Sequence, residues 1–128
     1  MSTTLEIVQQ AYDLARRGDH RHLRQLIAAE ATWHPAREGA WSPCSDADEI
    51  VKTLMWRSGS ANRLRPGETI ELGDRVLIQL RGRRLDRLGA KGFMPRLFQI
   101  VEVRDGQIAR MQDYPRRDAA LAAAGLRR

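Results

Sequence analysis

The chain has 128 residues, a single cysteine and a formal net charge of +6. That length predicts one domain over 1–128 with enough chain for a real core, and no run of about 18 apolar residues offers a membrane span. The N-terminal MSTTLEIVQQAYDLARR is amphipathic and lacks the continuous apolar stretch of a signal peptide, while Cys44, being alone, excludes an internal disulfide.

The positive balance does not point to nucleic acid. Of the 22 basic residues two are lysine, Lys52 and Lys91, and the others are arginines scattered over the whole chain. A phosphate-tracking surface needs clustered charge, often interleaved with stacking aromatics.

In chain order, Thr3 and Glu6 have the spacing of a capping box. Ile7, Val8, Ala11, Leu14 and Ala15 follow at helical intervals, and Gly18 stops the helix. Asp19 can cap a second helix with Leu23, Leu26 and Ile27 on one face. A short strand, ATWHP, ends at Pro35. The irregular stretch AREGAWSPCS leads to Ser45 or Asp46, the cap of a third helix carrying Ile50, Val51, Leu54 and Met55; Asp46 and Glu49 repeat the capping-box spacing.

After Gly59 the period changes to two. ETIEL alternates, and a Gly-Asp turn leads into RVLIQLRGRR, with Val76, Ile78 and Leu80 on one face and Leu77, Gln79, Arg81 and Arg83 on the other. LDRLGAKG reads as a loop and MPRLFQIVEV as a strand. Asp105-Gly106 is a hairpin turn, QIARMQDY the last strand, and RRDAALAAAG a helix of high alanine propensity. The order helix, helix, strand, helix, then four strands in a meander predicts an α+β domain with helices on one face of a mostly antiparallel sheet.

Two features need an explanation. Leu97, Phe98, Ile100, Val101 and Val103 make both faces of one strand apolar, although an antiparallel strand with one buried face should alternate. The second face needs a cover, and the expected cover is a second subunit, giving a homodimer through the sheet. In the last strand, Asp113 shares parity with Met111 and Ala109. If those two face the core, so does a carboxylate, which is costly to bury unless it is paired or at work.

The segments AYDLARRGDHRHLRQLIAAEATWHP and LFQIVEVRDGQIARMQDY, with the helix from Ser45, resemble the nuclear-transport-factor-2-like superfamily, in its SnoaL-like and limonene-epoxide-hydrolase-like branch. The resemblance covers more than half the chain. It implies a cone: a curved, mostly antiparallel sheet with the three helices of the N-terminal half on its concave face, and a short C-terminal helix.

Phe98-Gln99, Gly106 and Gln112-Asp113-Tyr114 match the limonene-epoxide-hydrolase-like pattern. The match implies that Asp113 activates a water molecule and that Arg81 orients it. Met111 stands where that branch has a tryptophan, and Arg83 where it has the acid that protonates the epoxide oxygen. A ketosteroid-isomerase-like site would put its base at His34, its oxyanion tyrosine at Ala11 beside Tyr12, and its protonated aspartate at Arg96. SnoaL-like cyclases would place an acid/base aspartate at Arg116.

The candidate catalytic residues are therefore Asp113 as base, Arg81 as its orienter and His34, whose imidazole can fill the donor role left open at Arg83. Candidate substrate-binding residues are Tyr12, Trp33, Trp56, Gln79, Phe98 and Met111, with Trp41 and Trp56 flanking the irregular segments as cavity or lid residues. No His/Asp/Glu cluster has metal-ligand spacing, no glycine-rich phosphate loop is present, and proton transfer in a dry pocket calls for no cofactor.

The expected partner is a small apolar molecule rather than nucleic acid or membrane, and the expected compartment is the cytoplasm. Three functions fit these residues. The first is an acid/base hydrolase, isomerase or cyclase acting on an apolar oxygenated substrate such as an epoxide, terpenoid or polyketide. The second is a non-catalytic binding domain for hydrophobic metabolites. The third is a structural domain whose cone is filled by Trp33, Trp41, Trp56, Phe93 and Phe98.

Overall fold

The computed structural model describes residues 3–36, 39, 42–59, 64–82 and 97–126. Trp41, Arg83, Phe93, Arg96 and the LDRLGAKG stretch lie outside the described residues.

Helix α1 (Thr4–Arg17) starts on the capping box, with Thr3 Oγ1 accepting from the Glu6 N–H and the Glu6 carboxylate accepting from the Thr3 N–H. It stops at Gly18, whose φ of 75° is the left-handed conformation that lets its N–H turn back onto the last carbonyls. The six-residue α2 (His20–Gln25) is capped by Asp19. Strand β1 (Ile27–His34) then begins well before Ala31. Ile27, expected on the second helix, is instead the first strand residue and pairs with Ile108. A β-branched side chain with a sheet partner outweighs the weak propensity of so short a helix. Helix α3 (Ala47–Ser58) is capped by Asp46, whose carboxylate accepts the Glu49 N–H at 2.9 Å.

Strands β2 (Arg65–Leu72), β3 (Arg75–Arg81), β4 (Leu97–Arg104) and β5 (Gln107–Tyr114) form the antiparallel meander, and β1 joins its edge parallel to β5. The order across the sheet is β1-β5-β4-β3-β2. A final short helix, α4, spans Arg117–Ala123. Helices α1, α2 and α3 enclose the concave face, burying Val76, Ile78, Leu80, Val101, Ile108 and Met111 beneath Val8, Ala11, Leu23, Ile50 and Leu54. The expected α+β cone is the observed architecture.

The opposite face of β4 has its own cover. Ala120, Leu121 and Ala124, from α4 and its C-terminal cap, pack with Leu77, Phe98 and Ile100. The doubly apolar pattern of that strand thus has a cause within one chain. At the margin of this second cluster Ile70, Leu72 and Tyr114 remain half-buried.

The β4–β5 ladder carries a bulge. Val103 pairs with Ile108 but Glu102 pairs with Arg110, so Ala109 is the extra residue. Ile108 and Met111, three positions apart, consequently share the concave face, while Ala109 is half-buried away from it. Ala109 therefore does not share the core face expected of it. Beyond the bulge the period of two is restored, and Asp113 follows Met111 inward.

Candidate functional site

Three neighbouring strands and two helices bring one polar cluster together inside the cone. Asp113 on β5 is 1 % exposed and sits directly across the ladder from Gln99 on β4. Trp33 comes from β1, the other neighbour of β5. Asp113 Oδ1 accepts from Trp33 Nε1 at 2.8 Å and from Gln99 Nε2 at 2.9 Å. The other end of the Gln99 amide, Oε1, accepts from the Tyr12 hydroxyl of α1 at 2.8 Å. Arg57, reaching in from α3, places Nη1 3.5 Å from Asp113 Oδ2 and lays its guanidinium 4.8 Å from the centre of the Trp33 ring.

The electrostatics follow from this packing. Burial pushes the Asp113 carboxyl above its ordinary range; the Gln99 and Trp33 hydrogen bonds and the Arg57 charge pull the other way without cancelling it. The Tyr12 hydroxyl is pushed up as well, by burial first and then by the negative charge of Asp113. It stays protonated and remains a donor. Within the carboxylate, Oδ1 is the tightly held oxygen. Oδ2 faces a guanidinium at a distance longer than a close charge-assisted bond.

Of the residues singled out from the sequence, Asp113, Trp33, Tyr12 and Met111 meet on the concave face. The others do not join them. Arg81 follows inward-facing Leu80 and so takes the opposite side of β3; it is exposed, with its stem against Gly67, where a Cβ would lie 2.8 Å from Arg81 Cγ. The guanidinium beside Asp113 is that of Arg57, not Arg81. Gln79 and Phe98 share the α4 face, Phe98 within the second apolar cluster. Trp56 is 69 % exposed because it lies two residues past Leu54, about 200° around the helix from the buried stripe.

His34 pairs with Gln112, one step out of phase with Trp33 and Met111, and so belongs to the other sheet face. There it lines a cleft of about 710 Å³ with Pro35, Ser42, Pro43 and Gln112. It does not stand beside Asp113 as a proton donor.

The residues that sequence reasoning missed had a readable signal. Arg57 lies seven positions after Ile50 and three after Leu54, on the core-facing side of α3. Gln99 shares strand parity with Val101 and Val103. Ser58, the next residue after Arg57, is fully buried, and its hydroxyl has no hydrogen-bond partner among the described residues. A second cleft, of about 340 Å³, lies between α1 and the start of β2, with Tyr12 at its inner wall and Asp13, Arg16 and Arg65 around it. Among the described residues no group of three or more His, Cys, Asp or Glu side chains could hold a metal ion, and no helix is long and apolar enough to cross a membrane.

Solved structures similar to this chain share the fold. An NTF2-like (nuclear-transport-factor-2-like) protein of unknown function from Mesorhizobium loti superposes with a TM-score of 0.65 at 21% identity, covering 88% of this chain and 90% of that one. A proposed polyketide cyclase from Sinorhizobium meliloti gives 0.57 at 22% identity over 84% and 92%. An LEH-like epoxide hydrolase from M. tuberculosis gives 0.55 at 16% identity over 88% and 83%. No curated protein matches the chain significantly in sequence. The sequence profile of the SnoaL-like domain family matches residues 8–111. With most of its length covered by that match and the cone architecture in place, the chain belongs to the SnoaL-like domain family.

Proposed function

We propose that this protein binds a small, largely apolar, oxygenated molecule in the cone and acts on it by acid/base chemistry, with Asp113 as the base. The observation that carries the reading is the asymmetry of one buried carboxylate: Oδ1 is fixed by Trp33 and Gln99, while Oδ2 faces only the longer Arg57 contact among the hydrogen bonds and ion pairs described above. A carboxyl raised by burial and tempered by a guanidinium binds a proton more readily than an ordinary aspartate, as a group that accepts one in a transition state must. Leu54, Ile78, Leu80 and Met111 of the same core are apolar and buried, so a ligand that reaches Asp113 must displace or pass apolar side chains and carry few polar atoms of its own. Similarity to an epoxide hydrolase and a proposed polyketide cyclase supports hydrolysis, isomerisation or cyclisation of an epoxide, terpenoid or polyketide.

A second reading, a binding domain without catalysis, is favoured by the number of donors around Asp113, since a carboxylate already satisfied by Trp33, Gln99 and Arg57 can serve as a fixed polar anchor. One experiment separates the two. Epoxides, terpenoids and linear polyketide mimics are screened by thermal shift, and every stabilising compound is recovered and analysed after prolonged incubation. Conversion of a stabilising compound is the expected result; stabilisers recovered unchanged throughout would leave the binding domain.

We also propose that the chain forms a homodimer through the sheet face bearing α4, where Ile70, Leu72 and Tyr114 frame the covered apolar cluster. Sedimentation equilibrium should return twice the chain mass, and Tyr114→Glu should return the monomer.

A further inference from the structure

We infer that Tyr12 is a positioning residue that acts through Gln99 to favour the ionised form of Asp113. The proposal rests on who can donate to whom. The Tyr12 hydroxyl is nearly sealed from water, with Tyr12 3 % exposed, and its hydrogen points at Gln99 Oε1 at 2.8 Å. A primary amide has an acceptor end and a donor end. Once Oε1 is claimed by Tyr12, the donor end, Nε2, must face Asp113, and it does so at 2.9 Å from Oδ1. Rotating the amide would leave the Tyr12 hydrogen without an acceptor inside the core, at the cost of a buried unsatisfied donor. The phenol therefore holds a donor against the carboxylate although it lies one residue away from touching it.

That polarity matters for the proton. An N–H against Asp113 Oδ1 favours the carboxylate, whereas an amide oxygen there would favour the carboxylic acid. Among the described residues, the other groups bonded or paired to Asp113 are Trp33 from β1, a permanent donor, and Arg57 from α3, a permanent cation. Of these three, Gln99 is the neighbour whose influence can change sign, and α1 sets that sign.

The test needs no substrate, and so stands or falls apart from the catalytic proposal. The indole N–H of Trp33 is bonded to Asp113, so its proton chemical shift followed against pH reports the ionisation of that carboxyl. Trp33→Phe assigns the resonance, and Asp113→Asn should abolish its titration. Tyr12→Phe keeps the ring and removes the hydrogen; it should raise the proton affinity of Asp113 about tenfold, an upward shift of about one unit in the midpoint. Gln99→Met should give a shift at least as large.

The double variant should match Gln99→Met alone, because Tyr12 acts only through the amide. Thermal melts of each variant check that the fold persists. An unmoved midpoint in Tyr12→Phe overturns the proposal. So does the full Tyr12→Phe shift appearing on the Gln99→Met background, which would mean that the phenol acts on Asp113 directly.

Discussion

Arg57→Met should destabilise the protein by about 2–3 kcal/mol at pH 8 and by much less at pH 4, as read from urea unfolding at the two values. Removing one partner of a buried pair strands the other charge, at a typical cost of 3–5 kcal/mol. Arg57 is still 19 % exposed and 3.5 Å from its partner, and Trp33 and Gln99 continue to hold Oδ1, so the lower part of that range or below applies here. Methionine keeps the stem that covers Trp33 but loses the cation over the ring, a smaller cost that does not depend on pH.

The sign of the pH dependence comes from Asp113. Its folded carboxyl already titrates above the unfolded value of 3.8. Its contribution to stability is therefore fully present below that value and is lost as pH rises through the folded one. Without Arg57 the folded value climbs further. The gap between wild type and variant should open across the window between the two folded values and stay constant above it. A penalty equal at both pH values would mean that Arg57 acts through packing on Trp33 alone.

How far the chain could be read without coordinates depended on the range of the forces involved. The capping box of Thr3 and Glu6, the stop at Gly18 and the cap at Asp46 are contained within four residues, and all are present. The strand faces of Val76, Ile78 and Leu80 against Leu77 follow from the pleat alone. Where a partner from elsewhere in the chain decides, local pattern fails. Ile27 was expected in a helix because nothing near it reveals that Ile108 will pair with it. Ala109 was placed inward because a bulge is a disagreement between two strands, visible only when both are aligned.

The site divides in the same way. Asp113 is legible because it shares parity with Met111, whereas Trp33 and Tyr12 reach the same cluster from β1 and α1 through contacts that no local pattern in the sequence announces. The family resemblance points to a strand arginine, Arg81, and passes over Arg57, although the inward row of Ile50, Leu54 and Arg57 on α3 marks the helix. Charged residues on an apolar row are easily dismissed as snorkelling at its edge. Here the row ends over a carboxylate, so the arginine has somewhere to go.

Asp113→Asn should lower turnover of any converted substrate by about 10²–10⁴-fold, the usual contribution of one positioned general base, while leaving its binding within about threefold. The substitution is close to isosteric. Asparagine Oδ1 can keep accepting from Trp33 and Gln99, and its amide group meets Arg57, which is exposed enough to turn towards water. The fold should survive, and its stability relative to wild type should improve as pH rises, because the variant is spared the cost of ionising a buried carboxyl. The wild-type rate should fall on acidification with a midpoint above the ordinary 3.8 of an aspartate, since burial is the largest influence on this one. Loss of turnover with retained binding and a lost acid limb would identify the group that takes the proton. Turnover that persists at the wild-type rate in Asp113→Asn would remove the carboxylate from the chemistry and leave it the polar anchor of an otherwise apolar cone.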